Sequence, residues 1–434
     1  MDSGRRRAAA GAAKDGKGER LKGEVAARRE RPLALAAIGL EAELELHVDG
    51  RKVKPEKLFG DPTGFVRQPL VHREGTSYHL PTGGAVYFDT GVIEVATPVI
   101  EIAPGCAARA GRSLWEAIRF LRGELDAWEE ATGRTARLSG FSTHYNISFD
   151  TRPRPVAGAP TTVEDLACLL VNLLPVPVML LAANRRSTGI GVRPRGGRIE
   201  ITADFTPSAS LMIATAALVT GIAREAMTWR SFALDALALH GVPRIDGFRP
   251  LPHSSRKGWV ARAESFPRDP FTTPPDEPAW PVGGAAKSLR EVGRDVYLAF
   301  RPAIRRVAEP FTQKLLDTLL LRHGPLLLDL PARPESYDDV GRLCRWDELF
   351  PERLLSRSRY ERVLIRAIAG DVLRLGGHDH RPVGMRGWSE VVFERLPEGT
   401  RHRYPIDFLL QHLDRWERTG VGARRRRKVG RRAS

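Results

Sequence analysis

The stretch Leu35-Ala36-Ala37-Ile38-Gly39-Leu40-Glu41-Ala42-Glu43-Leu44-Glu45-Leu46-His47-Val48 decides the fold. Leu40, Leu44 and Leu46 alternate with Glu41, Glu43 and Glu45, and strict alternation is the signature of a strand buried on one face only. Residues two apart on a strand point the same way, so the three glutamates form a carboxylate row on the face opposite the leucines. A sheet with one apolar and one charged face is antiparallel and open on one side.

Outward from this strand, residues 49–82 are rich in Gly, Pro and charge and read as an insertion or a pair of short strands. Val86 to Pro98 reads as a second strand system, and Leu138 to Phe149 as another strand. Ser113 begins a helical period running through Leu114, Ile118, Leu121 and Leu125 to Gly133. Thr161 or Thr162 caps a helix extending to about Leu174. Residues 185–205 read as strand, turn at Gly196-Gly197, and strand, after which Ser208 caps an apolar helix reaching about Trp229. The expected class is α+β: a curved, mainly antiparallel sheet with helices on its outer face, residues 32–240. A Pro/Arg-rich loop at 241–285 and a mostly helical part at 286–420 follow. Neither GxGxxG nor GxxxxGK[ST] occurs, which gives no support to a dinucleotide fold or a P-loop.

Lys plus Arg exceed Asp plus Glu by 16, but most of the excess is terminal. Residues 1–31 carry +5 and read as a disordered basic leader; residues 415–434 carry +8, concentrated in the basic tail 421–434. The folded middle is close to neutral, so nucleic acid is not expected as a partner except weakly through these tails. Cys106, Cys168 and Cys344 form no CxxC pair and are odd in number, which argues for a reducing, cytoplasmic setting and against a zinc ribbon. No signal peptide is expected. The longest apolar stretch, Leu166 to Ala183, is broken by Asn172, Pro175 and Pro177 and reads as a buried helix rather than a membrane span. The oligomeric state is left open, a homo-oligomer included.

Four segments carry polar groups on strand faces. Glu41 and Glu43 are the first pair; close carboxylates repel, and Mg²⁺, which prefers oxygen ligands, relieves that repulsion. Glu94 lies between Ile93 and Val95, a setting in which a carboxylate needs a partner or a metal. His144, Asn146 and Ser148 share one face of their strand. The fourth segment, 184–204, supplies Arg185, Arg186, Arg193, Arg195 and Arg198, then Glu200, Thr202 and Asp204 on one face. Arginine is suited to bidentate recognition of phosphate or carboxylate. Each segment taken alone also fits an ordinary charged sheet face.

Together, over residues 36–230, these segments resemble the carboxylate–amine ligases, the superfamily of glutamine synthetase and glutamate–cysteine ligase. Gly39-Leu40-Glu41-Ala42-Glu43 resembles the G-x-E-x-E opening strand. Ile93-Glu94 with Thr97-Pro98 resembles the E-x-x-T-P strand, His144 to Ser148 the glycine–histidine strand, and Arg198-Ile199-Glu200 the R-I-E of glutamine synthetase. Asn146 stands where a second His often lies, and Thr202 occupies a place near R-I-E where glutamine synthetase has Arg. The resemblance implies an ATP- and Mg²⁺-dependent ligase acting on small-molecule carboxylate and amine substrates through an acyl phosphate. It implies Glu41, Glu43, Glu94 and Glu200 as metal ligands, and His144, Asn146, Arg185 and Arg193 on nucleotide or phosphate. It places Arg193, Arg195 and His144 at the reacting groups, with Glu94 or Asp204 as a base that would help deprotonate an amine. A kinase of the same fold and a catalytically inactive binding protein are the alternatives.

Overall fold

The computed structural model describes residues 36–148, 160–254, 256–350 and 356–419. The basic leader 1–31 and tail 421–434 lie outside the described residues.

Twelve strands build the main sheet: β1 (Ala37–Val48), β2 (Arg51–Val53), β3 (Val71–Glu74), β4 (Ser77–His79), β5 (Ala85–Asp89), β6 (Val92–Ala96), β7 (Ile100–Glu101), β8 (Ala136–Ser148), β9 (Ile190–Arg195), β10 (Arg198–Asp204), β11 (Leu251–Pro252) and β12 (Trp259–Ala261). They pair in the order β11-β12-β9-β10-β8-β1-β6-β5-β4-β3, with the short β2 and β7 also on β1. Each of these pairings is antiparallel. The fold is α+β, as the alternation in β1 implies.

One face of this sheet is apolar throughout. Leu40, Ala42, Leu44 and Leu46 of β1, Ile93 and Val95 of β6, Tyr145 and Ile147 of β8, and Ile199 and Ile201 of β10 are all buried. Helices Cys106–Thr132 and Ala209–Ala226 belong to the same core. The second of these is long and apolar enough to cross a bilayer, but it is 78% buried here, as a core helix. Small residues bring its neighbours close: a Cβ on Gly221 would lie 2.6 Å from Ile304 Cα in helix Leu289–Val307.

Several boundaries differ from the sequence reading. The helix expected from Ser113 begins at Cys106, because its first two turns use Ala107, Ala108, Ala110 and Gly111, which are buried without showing an apolar period. The helix capped by Thr162 ends at Leu170, and Pro175 opens a second, Pro175–Ala182. The 241–285 segment is not only loop. Its strands β11 and β12 extend the main sheet, and Trp280–Val282 (β13) pairs with Ala285–Lys287 (β14).

The largest correction concerns the last third, expected to be mostly helical. Helices Leu289–Val307, Pro310–Leu321, Arg359–Ile368 and Ile406–Thr419 are present. Between the last two, however, β15 (Leu373–Leu375), β16 (His378–Arg386), β17 (Glu390–Leu396) and β18 (Arg401–Pro405) form a separate antiparallel sheet. The turns explain it: Gly370, Gly376, Gly377, Gly387 and Gly399 all have positive φ, which ends the helix and closes successive hairpins. This sheet packs Val391 and Phe393 against Tyr360, Leu364, Leu409 and Trp416 in a core of its own. It is tied to the main core by Ser113, whose hydroxyl donates to the buried Glu361 carboxylate at 2.6 Å.

Candidate functional site

The polar face of the sheet is assembled by register. Glu43 on β1 lies opposite Glu94 on β6 and Ser142 on β8, and Glu41 lies opposite His144. Across β8, His144 pairs with Thr202, Asn146 with Glu200 and Ser142 with Asp204 on β10. Glu200 in turn lies opposite Arg193 on β9, and Glu94 opposite Tyr87 on β5. Because side chains alternate, one row after another brings these groups to the same side.

The centre is His144 among three carboxylates. Its Nδ1 lies 3.4 Å from Glu41 Oε2 and 3.8 Å from Glu94 Oε1, and its Nε2 3.6 Å from Glu43 Oε1. Ser142 Oγ donates to Glu43 Oε2 at 2.6 Å. Glu94 and His144 are buried at 3% and 6% exposure, so these charges have little water to screen them. The consequences diverge within one cluster. Burial pushes Glu94 up to about 8, and the Glu41 charge pushes the same way. Burial also works against ionisation of Glu41, but the bond from His144 and the charges of His144 and Arg198 outweigh it and hold Glu41 at about 2. His144, which burial alone would lower, is raised to about 9 by Glu41 and Glu43.

Two overlapping ligand sets result. Oxygen and nitrogen atoms of Glu41, Glu94 and His144 lie within 4.8 Å of one another, and so do those of Glu43, Asp89 and Glu94. Glu94 belongs to both. A proton shared in such a cluster is the metal-free compensation for excess negative charge; a divalent cation is the alternative. Carboxylate oxygens suit Mg²⁺ or Mn²⁺, and the Glu43, Asp89 and Glu94 set, all oxygen, fits the Mg²⁺ expected from the sequence.

Beside this centre stands an arginine pair. Arg195 donates from Nε to Glu200 Oε2 at 2.7 Å and from Nη2 to Glu200 Oε1 at 3.2 Å, and Arg193 also pairs with Glu200. Burial raises the Glu200 carboxyl, but the bond from Arg195 and the His144 and Arg193 charges outweigh it, leaving it below the usual range. Glu200, expected as a metal ligand, is therefore held by two guanidiniums, outside both ligand sets. Asn146 accepts from Arg198 Nε at 2.8 Å. Arg185 does not join the site: its guanidinium donates to the Phe271 and Thr273 carbonyls and fixes the 270s loop.

Next to the carboxylate centre opens a cleft of about 450 Å³. Glu43, Ser142 and His144 of the carboxylate centre line it, together with Arg186, Arg193, Arg262, His253, Phe141, Asp204, Arg333 and Tyr337. Burial raises Asp204 to about 6 despite bonds from Asn184 and Ser187. The sequence reading passed over Tyr87 and Asp89, although their two-residue spacing on a strand paired with Glu94 was available as a signal. Arg262, Arg333, Tyr337 and His253 come from segments with no local motif, and only the tertiary fold brings them here.

No family model matches the chain, and no curated protein does. Among solved structures it is similar to the complex between prokaryotic ubiquitin-like protein Pup and its ligase PafA. That match has a TM-score of 0.37 and 13% sequence identity, over 88% of this chain and 92% of that one. The functional reading therefore rests on the site itself.

Proposed function

We propose that this chain is an ATP- and Mg²⁺-dependent carboxylate–amine ligase that forms an amide through an acyl phosphate. The observation that carries the reading is the sharing of Glu94 by two ligand sets on the sheet's polar face, beside an arginine pair of which Arg193 is buried and Arg195 half-buried. Bound Mg²⁺ would supply charge neutralisation for the transferring phosphoryl group. Glu41, Glu94 and His144 are the residues to hold one ion, and Glu43, Asp89 and Glu94 a second.

The chain's own contribution is positioning. Arg193 lines the cleft and has its Nε–H buried without a partner among the described residues, so it has a donor to offer an anionic group there. Glu200 clamps Arg193 and Arg195, which fixes both guanidiniums before any ligand arrives and so limits the reorganisation required on binding. Before an ion binds, His144 is cationic between its carboxylates; to ligate one it would give up a ring proton, because a metal takes the neutral imidazole. In the proposed reaction the substrate carboxylate takes the γ-phosphoryl group of ATP and releases ADP. The amine then attacks the acyl carbon, loses a proton, and expels inorganic phosphate. A cytoplasmic location fits the three free thiols.

The test is calorimetric binding of Mg-ATP to the full chain, followed by ADP release across a panel of carboxylates with and without amines. Amine-dependent amide formation is expected. A phosphorylated product formed without any amine would identify a kinase instead, and absence of Mg-ATP binding would remove the catalytic reading altogether.

A further inference from the structure

Arg256 reaches across the polar face of the main sheet. It stands just before β12, and Asp89 ends β5, six strands further along the pairing order. Six strand spacings in a flat sheet come to roughly 29 Å, far beyond the reach of one side chain. Yet Arg256 Nη2 donates to Asp89 Oδ2 at 3.2 Å. The sheet therefore curls into a cradle, and this contact spans its open side. The base of the β11–β12 hairpin sets the arginine in place. His253 N–H donates to the Gly258 carbonyl at 2.9 Å, and Gly258, at φ +121°, packs so closely on β9 that a Cβ would lie 2.6 Å from the Val192 carbonyl oxygen.

Asp89 belongs with Glu43 and Glu94 to the second ligand set. Arg256 thus engages a carboxylate that a cation in that set would need. Its side chain is 39% exposed and that of Asp89 32%, and ion pairs so exposed are weakly held, so a divalent cation can take the carboxylate. The guanidinium then faces like charge. Burial and the charges of Arg193, Arg256, Arg262 and Arg195 together hold His253 below its usual range, so four guanidiniums converge on one region beside the cleft. Among the described residues their ion-pair partners are two carboxylates, Glu200 and Asp89. Once a cation takes Asp89, Glu200 alone is left to balance them, and the surplus positive charge attracts an anion into the cleft.

We propose that Arg256 is a switchable latch on the second ligand set: it neutralises Asp89 while no cation is bound, and turns to an anion in the cleft when a divalent cation takes Asp89. Cation and anion then bind as a linked pair, each raising the affinity for the other. The ion assignment rests on the ligase reading; the coupling through Arg256 goes beyond it.

The probes are Mn²⁺ and sulfate. Mn²⁺ is titrated calorimetrically into the full chain, in sodium chloride and in sodium sulfate at equal ionic strength. Wild type should bind two ions per chain, and sulfate should tighten the weaker one at least about twofold. Arg256→Gln should tighten that ion about two- to fivefold in chloride, the scale of an exposed ion pair, and should erase the sulfate effect. Arg256→Lys keeps the charge and should behave as wild type. Lys257→Gln removes the same charge from the neighbouring residue, which pairs instead with Glu164 at 4.0 Å, and should change neither measurement. An Arg256→Gln protein that binds the weaker Mn²⁺ no tighter than wild type in chloride, or that keeps the sulfate effect, overturns the latch and leaves the ligand sets standing. Equal effects from Arg256→Gln and Lys257→Gln would reduce the latch to a general field of positive charge and overturn it as well. Fewer than two Mn²⁺ per chain in both wild type and Arg256→Gln, with sulfate present, overturns the second ligand set itself and the latch with it.

Discussion

Replacement of Glu94 by Gln separates a metal centre from an ordinary buried acid. The side chain is 3% exposed, lies 3.8 Å from His144, and bonds to Tyr87 across the β5–β6 pair. Its carboxyl is raised from an ordinary 4.5 to about 8. A raised acid binds a proton more tightly in the folded than in the unfolded state, so the metal-free protein loses stability as pH rises from about 4.5 through about 8. The full shift corresponds to at most about 5 kcal/mol. Glu41, Glu43 and His144 adjust together, so a few kcal/mol is the expected size, or several degrees of melting temperature in a protein this large. Glutamine cannot ionise. At pH 4, where Glu94 is protonated in the folded and mostly in the unfolded state, Glu94→Gln should melt within about one degree of wild type; at pH 9, in chelator, it should melt several degrees higher. Added Mg²⁺ or Mn²⁺ should reverse the order. At a hundredfold excess over its dissociation constant a cation stabilises the wild type by about 2.7 kcal/mol, and the mutant should lose most of that gain. If the proposed ligase activity holds, turnover of ATP should also fall about a thousandfold, because charge neutralisation at the phosphoryl group would be lost. Differential scanning calorimetry at the two pH values, with and without cation, reads the melting arms, and an ADP-release assay reads turnover. A mutant that melts lower at pH 9 in chelator, or that keeps the full cation-induced gain, would refute the reasoning.

Other perturbations follow from the same geometry. His144→Gln removes the cation between three carboxylates; because His144 is raised to about 9, its stabilisation is complete below about pH 6.5 and fades as pH rises through 9. Thermal melts in chelator should therefore show a larger loss at pH 6 than at pH 9.5, and an equal loss at both would contradict the assignment. Gly140→Ala places a Cβ 2.4 Å from Phe205 and should cost about 1–3 kcal/mol in denaturant titration, as overpacking does. Replacing Cys106, Cys168 and Cys344 together by Ser should lower stability, since Cys106 and Cys344 are buried, yet leave ATP turnover within about tenfold. Complete loss of turnover in a folded triple mutant would show that a thiol takes part. Glu361→Ala should leave Ser113 without its buried acceptor and cost about 1–3 kcal/mol, read as earlier melting in calorimetry.

Much of the sheet's centre was written in local pattern. Alternation in β1 fixed which residues face the helices, and the register then carried Glu41, Glu43, Glu94 and His144 to one point, as residues read individually from separate strands. The Gly196-Gly197 turn likewise announced the β9–β10 hairpin that pairs Arg193 with Glu200. What periodicity could not supply was the outcome of competition between charges. Glu200 and Glu94 look alike in sequence, each a glutamate between apolar neighbours. Glu200 is neutralised by Arg193 and Arg195 and drops below the usual carboxylate range; Glu94 forms no ion pair with a guanidinium among the described residues, and burial and the Glu41 charge raise it. The last third was misread for a related reason: its longest strand, His378–Arg386, carries few apolar residues to alternate, and the glycines that turn the chain are a signal about connections rather than about faces. The cleft wall lay further out of reach, because Arg262, Arg333 and Tyr337 sit in segments where no neighbour in sequence shares their task. A strand's alternation follows from its own backbone, so sequence alone decides it; the state of a buried charge depends on what lies within a few ångströms in space, and only the packed tertiary structure decides that.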